Sequence, residues 1–195
     1  MDVIEKKQDR LQRSARLQIE ELGLHNLLSP FGRVAIVGSV ATGLMTWPDI
    51  DIEVAGEQFP SKKDLSPIEK ALSVRGIGEV SFIDNKDNLT SHLPKGMYLG
   101  FKKQVGTVLW KIDIWFIEAN SQNSAIKDSS WIMDALTPEK KTIILTIKNQ
   151  TAHDPTYRKS IFSLDIYKAV LLSGVSDLAG FKEYLALSHR EMTIK

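Results

Sequence analysis

The stretch VGSVATGLMTWPDIDIEV, Val37 to Val54, decides how the rest of the chain is read. Its last six residues alternate strictly. Ile50, Ile52 and Val54 fall on one side of an extended strand and Asp49, Asp51 and Glu53 on the other, which is the pattern of a strand with one buried and one wet face. Ten positions before Asp49 stands Ser39, preceded by Gly38 at the end of an apolar run. A Gly-Ser turn that feeds a row of carboxylates is either a solvated edge or the wall of a site.

Working outward, RVAIVGS before the turn is short, apolar and β-branched, and is expected as a central strand buried on both faces. Upstream, Ile4, Leu11, Ala15, Leu17, Ile19 and Leu22 recur at helical spacing over Val3 to Leu22, predicting an amphipathic helix. Downstream, Ser66-Pro67-Ile68-Glu69 combines an N-cap serine, a first-turn proline and an acid, so a helix should run to about Val74. Three strands are expected next, Glu79 to Ile83, Met97 to Lys102 and Val108 to Ile117, the last two joined by a turn at Gln104 to Gly106. In the third, Trp110, Ile112, Ile114 and Phe116 share one face while Lys111, Asp113 and Trp115 share the other. After a polar linker, Glu118 to Lys127, helical patterns follow at Trp131 to Leu136, Pro138 to Asn149, Ile161 to Leu172 and Asp177 to Leu187. The expected fold is α/β (α+β): a mixed sheet with flanking helices over 1–120 and a helical region over 121–195.

Asp49 and Asp51 should project from one face about 7 Å apart, and Asp113 on a neighbouring strand could converge on them. Convergent carboxylates call for hard cations, Mg²⁺ first and Mn²⁺ as the alternative. Two such ions about 4 Å apart suit in-line displacement at phosphorus. Amides around Ser39 and Val40, at the start of a short helix, would face a triphosphate, with Gly38 permitting close approach and the Ser39 hydroxyl donating. An Asp-x-Asp alone is common on wet strands; its conjunction with the turn and with Asp113 is what favours a site.

Hydrophobic-Gly-Ser at Val37 to Ser39, Asp49-Ile50-Asp51-Ile52, and Ile112-Asp113-Ile114 together resemble the nucleotidyltransferase superfamily of the DNA polymerase β type. The resemblance spans roughly Arg33 to Ile117, and the chain is similar in scale and layout to small bacterial members of the antibiotic-nucleotidyltransferase kind. It implies metal ligation and catalysis by Asp49, Asp51 and Asp113, with triphosphate contact by Gly38 and Ser39. It further implies that the helical region shapes an acceptor pocket, from which Lys168 could reach the triphosphate, against the plainer reading of a solvated helix-face lysine. The implied activity is Mg²⁺-dependent transfer of a nucleoside monophosphate from an NTP to a hydroxyl of a small-molecule acceptor, an antibiotic being one candidate. One departure is that Val40 and Thr42 stand where small bacterial members often carry basic residues.

Composition narrows the partners. With 195 residues, 25 Lys+Arg against 24 Asp+Glu and a formal charge of +1, no global field draws the chain to a long nucleic acid or an anionic membrane. The absence of cysteine excludes disulfides, thiolate nucleophiles and thiolate-held zinc. His25, His92, His153 and His189 show no zinc spacing. No apolar run is long enough to span a bilayer, and the amino terminus has no apolar signal core, so the expected location is cytoplasmic. Two rivals are weighed. A nucleotidyltransferase-like antitoxin or regulator would bind or modify a helical protein partner; a metal-dependent glycosyltransferase is disfavoured by the 48 residues that precede Asp49.

Overall fold

The computed structural model describes residues 3–87, 93–121, 124–157, 159–188, 190 and 192; His92 and His189 lie outside them. The amphipathic amino-terminal segment forms α1 (Val3–Glu21), followed by the short α2 (Leu24–Leu28) and a 3₁₀ turn, Ser29–Phe31. Strand β1 (Arg33–Val37) leads through α3 (Gly38–Thr42) to β2 (Asp49–Gly56). After α4 (Ser66–Val74) come β3 (Val80–Asp84), β4 (Met97–Val105) and β5 (Val108–Glu118). The chain then continues as α5 (Ala125–Ala135), α6 (Pro138–Thr151), α7 (Ser163–Ser173) and α8 (Leu178–Ala186).

The sheet has five strands in the order β1-β2-β5-β4-β3. It is mixed, as expected: β2 and β5 run parallel, and every other pairing is antiparallel. The β2–β5 pair brings together strands far apart in sequence, and its register sets Ile50 against Ile112, Asp51 against Asp113 and Ile52 against Ile114. The alternation in the two strands therefore adds up across the sheet. Ile50, Ile52, Val54, Trp110, Ile112, Ile114 and Phe116 form the buried face, packed with Ala15 and Ile19 of α1, Leu22 just after it, and Ile68 and Leu72 of α4. A second apolar cluster joins the carboxy-terminal helices around Ile144, Ile147, Ile166 and Phe181. These helices pass on the side of the carboxylates.

One expectation is overturned. Strand β1 is at the sheet edge, paired only with β2, and Ile36 is 40% exposed. A short β-branched run reads the same for an edge as for a buried strand, because both demand extended backbone and the neighbours that cover it are remote. Smaller differences have local causes. Val105 pairs with Val108, so the β4–β5 hairpin closes over Gly106-Thr107, with Gly106 at φ 57 supplying the left-handed turn. Helix α5 starts at Ala125, inside the expected linker, because Ser124 caps it by accepting from the Ile126 amide. Proline opens α4 as expected, with Leu65 and not Ser66 as the capping position.

Candidate active site

Strand parity carries Asp49, Asp51 and Glu53 to the wet face, and the register carries Asp113 beside Asp51. Each of Asp49, Asp51 and Asp113 offers a carboxylate oxygen that lies within 4.8 Å of the other two. Like charges this close oppose one another. Burial, followed by the repulsion of Asp49 and Asp113, pushes the Asp51 carboxyl up from 3.8 to about 7. Such a donor set, all hard oxygen and mutually repelling, fits divalent cations of the Mg²⁺ type.

Asp113 has two further partners. The Tyr98 hydroxyl donates to its Oδ1 at 2.6 Å, and Lys111 forms an ion pair with its Oδ2. Burial and the bond to Asp113 both raise the Tyr98 pKa, so Tyr98 stays a donor. Burial works against the charge of Lys111, yet the contact with Asp113 and the fields of Asp49 and Asp51 prevail and raise its pKa. Tyr98 can cross the sheet only because position 100 lacks a side chain; a Cβ on Gly100 would sit 2.0 Å from the Tyr98 hydroxyl oxygen.

Gly38 serves a similar purpose at the turn. It adopts φ 62, and a Cβ there would come within 2.6 Å of Asp51 Oδ2. Its amide donates to Ser129 Oγ at 3.1 Å, which ties the turn to α5. Helix α5 is fixed in turn by Glu53, whose buried carboxylate accepts from the Ser124 hydroxyl at 2.7 Å and the Ala125 and Ile126 amides at 2.8 and 3.1 Å. A negative group at a helix start is favoured by the helix dipole.

Between α3, α5 and α7 opens a cleft of about 190 Å³ whose walls include Gly38, Ser39, Asp49, Asp51, Ser129 and Lys148. Lys148 is 1% exposed. Its ammonium donates to the Leu44 carbonyl at 2.7 Å and to the Tyr167 hydroxyl at 2.9 Å, and lies 4.8 Å from the centre of the Trp47 ring. Its charge is felt at Asp51, where it works against burial and repulsion by lowering the pKa. Lys168, by contrast, is exposed on α7 and is not among the residues lining the cleft. The adjacent Tyr167 turns inward and is. Trp47 lines the cleft as well, edge-on to Tyr157 at 5.5 Å.

Sequence reasoning passed over Lys148, Ser129 and Tyr98, while it set Lys111 on the face of Asp113, and the ion pair between them is what the plainer reading of Asp113 expects. For Lys148 a signal was available: in TIILTIKNQT it falls on the same helical face as Ile144 and Thr151, which are buried. Tyr98 gave no such signal, since only the β4–β5 register places it near Asp113.

No protein-family model matches the sequence, and no curated protein matches it. Solved structures do. The Cid1 poly(U) polymerase bound to MgGTP superposes with a TM-score of 0.60 at 18% identity, over 84% of this chain and 50% of that one. The same polymerase with Mg and 3′-dATP gives 0.57 at 18% identity, over 84% and 49%. The non-canonical poly(A) polymerase complex GLD-2–GLD-3 gives 0.57 at 14% identity, over 91% and 61%. This chain thus spans about half the length of the Cid1 structures it matches. The fold is the one these solved structures share, a mixed five-stranded sheet with flanking helices.

Proposed function

We propose that this chain transfers a nucleoside monophosphate from an NTP to a hydroxyl of an acceptor and releases pyrophosphate, with Asp49, Asp51 and Asp113 holding two divalent cations, Mg²⁺ or Mn²⁺. The observation that carries the reading is the convergence of these carboxylates across the parallel β2–β5 pair, beside a cleft lined by Gly38 and Ser39. When bound, such cations neutralise the phosphates and stabilise charge on the attacking and leaving oxygens.

The chain's own groups do the rest. Gly38 lets the triphosphate approach the sheet end, and the Ser39 hydroxyl donates to a phosphate oxygen. Lys148 supplies the positive charge that Val40 and Thr42 do not, in the place where Lys168 was expected to act. Asp113, oriented by Tyr98 and Lys111, accepts the proton of the acceptor hydroxyl as its oxygen bonds to the α-phosphorus. The bond from that phosphorus to the bridging oxygen breaks, and its electron pair leaves with pyrophosphate. Cid1 structures hold MgGTP, which supports an NTP as co-substrate for this fold. The near-neutral charge of the chain favours a small acceptor over a long nucleic acid.

The test is turnover of labelled NTPs, measured as pyrophosphate released with and without divalent cation, over a panel of acceptors. Release should require the cation and vanish in Asp51→Asn. Undiminished release in that variant would remove Asp51 from the site.

A further inference from the structure

Resting on that reading, we propose that the acceptor carries a phosphate, which Lys102 and Lys111 bind on the β4–β5 side of the carboxylates. In-line displacement requires the attacking hydroxyl and the leaving pyrophosphate to lie on opposite sides of the α-phosphorus. The cleft with Gly38, Ser39 and Lys148 occupies the side of β1, α3 and α5. The acceptor therefore comes from the other side, over β5, β4 and β3.

That side is already hollow. One depression of about 350 Å³ includes Ser81, Tyr98, Gly100, Lys102 and Lys111 in its lining. Another of about 280 Å³ runs along Trp47, Pro48, Asp49, Lys102 and Lys111. The two depressions share the lysines and adjoin the carboxylates, one through Asp49 and the other through Tyr98, which bonds to Asp113. Gly100 keeps the first open, since any side chain there would collide with Tyr98.

The charges fit an anion. Lys102 and Lys111 stand directly opposite each other across the antiparallel β4–β5 pair, an arrangement that costs stability unless something negative lies over it. Asp113 answers Lys111; Lys102 is exposed and forms no ion pair among the described residues. A polycationic acceptor, such as an aminoglycoside, would meet two ammonium groups on its way in. A phosphate on the same sugar as the attacking hydroxyl would meet its complement. Both the 3′ end of a short oligonucleotide and a free nucleotide offer that chemistry.

The experiment is equilibrium binding of a fluorescent 5′-phosphorylated oligoribonucleotide, with AMP and an aminoglycoside as competitors, to wild type, Lys102→Ala, Lys102→Glu and Lys70→Ala. Lys70, exposed on α4, controls for net charge. NTP binding to the wild type with Mg²⁺ is measured alongside. The expected result is a roughly tenfold loss of oligonucleotide affinity in Lys102→Ala, a larger loss in Lys102→Glu and none in Lys70→Ala. The slope of log affinity against log salt should also fall by about 0.7 in Lys102→Ala, as one phosphate contact predicts for a single strand. Displacement by AMP at matching affinity identifies a free nucleotide as the source; much weaker displacement identifies the oligonucleotide end. NTP binding combined with indifference to Lys102, or with preference for the aminoglycoside, would overturn the anionic acceptor and leave nucleotidyl transfer standing. Absence of NTP binding would overturn the transfer reading, and the acceptor assignment with it.

Discussion

Strand β2 carries carboxylates of two kinds on one face. At its far end Glu53 is buried and satisfied, accepting from Ser124, Ala125 and Ile126 at the start of α5. Two residues earlier Asp51 is crowded by Asp49 and Asp113, and its pKa is pushed up to about 7 by burial and by their charge. Both are acids on the same wet face, so residue type and alternation do not separate them. The partners do. Where helix amides meet the carboxylate it holds the fold together; where other carboxylates meet it, a proton or an added cation relieves the repulsion.

The largest expected effect breaks the crowded end. Asp51→Asn should lower nucleotidyl transfer by at least about a thousandfold, equivalent to about 4 kcal/mol of transition-state stabilisation, while raising the melting temperature of the cation-free protein. The pH dependence fixes the sign. Because the folded pKa of Asp51 is about 7 against 3.8 ordinarily, the folded state binds the extra proton between those values. Stability of the cation-free protein should therefore fall as pH rises from about 4 to about 7, a cost on the order of a few kcal/mol that is complete above the window. Urea titrations across that range should show the fall in wild type and its reduction in Asp51→Asn; a stability that rises through the window would contradict the crowding.

Breaking the satisfied end should act on the fold instead. Glu53→Ala leaves the hydroxyl and amides at the start of α5 without their acceptor, at a cost of about 3 kcal/mol in urea unfolding. Because α5 also holds the Gly38 turn through Ser129, transfer should drop in Glu53→Ala with a change in NTP affinity. Glu53→Gln, which keeps one acceptor oxygen, should lose less.

A third comparison adds the ligand. Mg²⁺ with a non-hydrolysable NTP at a hundred times its Kd should stabilise wild type by about 2.7 kcal/mol. Calorimetry should record the raised melting temperature in wild type and in Glu53→Gln, and little of it in Asp51→Asn. No shift with any NTP at millimolar Mg²⁺ would count against the site as a whole.

The smallest effect concerns orientation. Tyr98→Phe removes one hydrogen bond to Asp113, worth about 1 kcal/mol, and should lower kcat severalfold with little change in KM for the NTP. Gly100→Ala should reproduce this by driving the Tyr98 ring away. A kcat unchanged in both variants would show that Lys111 alone suffices to hold Asp113.

The sequence by itself determined the parity of β2 and β5, because a period of two leaves Ile50, Ile52, Ile112 and Ile114 a single way to be buried together. With parity came the shared facing of Asp49, Asp51 and Asp113, and the Gly-Ser turn at the strand end was legible for the same local reason. The order of the strands was not. That β1 is an edge and that β2 lies parallel beside β5, about sixty residues away, leave no periodic trace, and that Tyr98 reaches Asp113 over Gly100 depends on the exact register of the β4–β5 hairpin. The exchange of Lys168 for Lys148 has the same origin. Two lysines on neighbouring helices look alike in sequence, and only the packing of α6 and α7 around Trp47, Tyr167 and the Leu44 carbonyl turns one inward to the cleft and leaves the other in solvent.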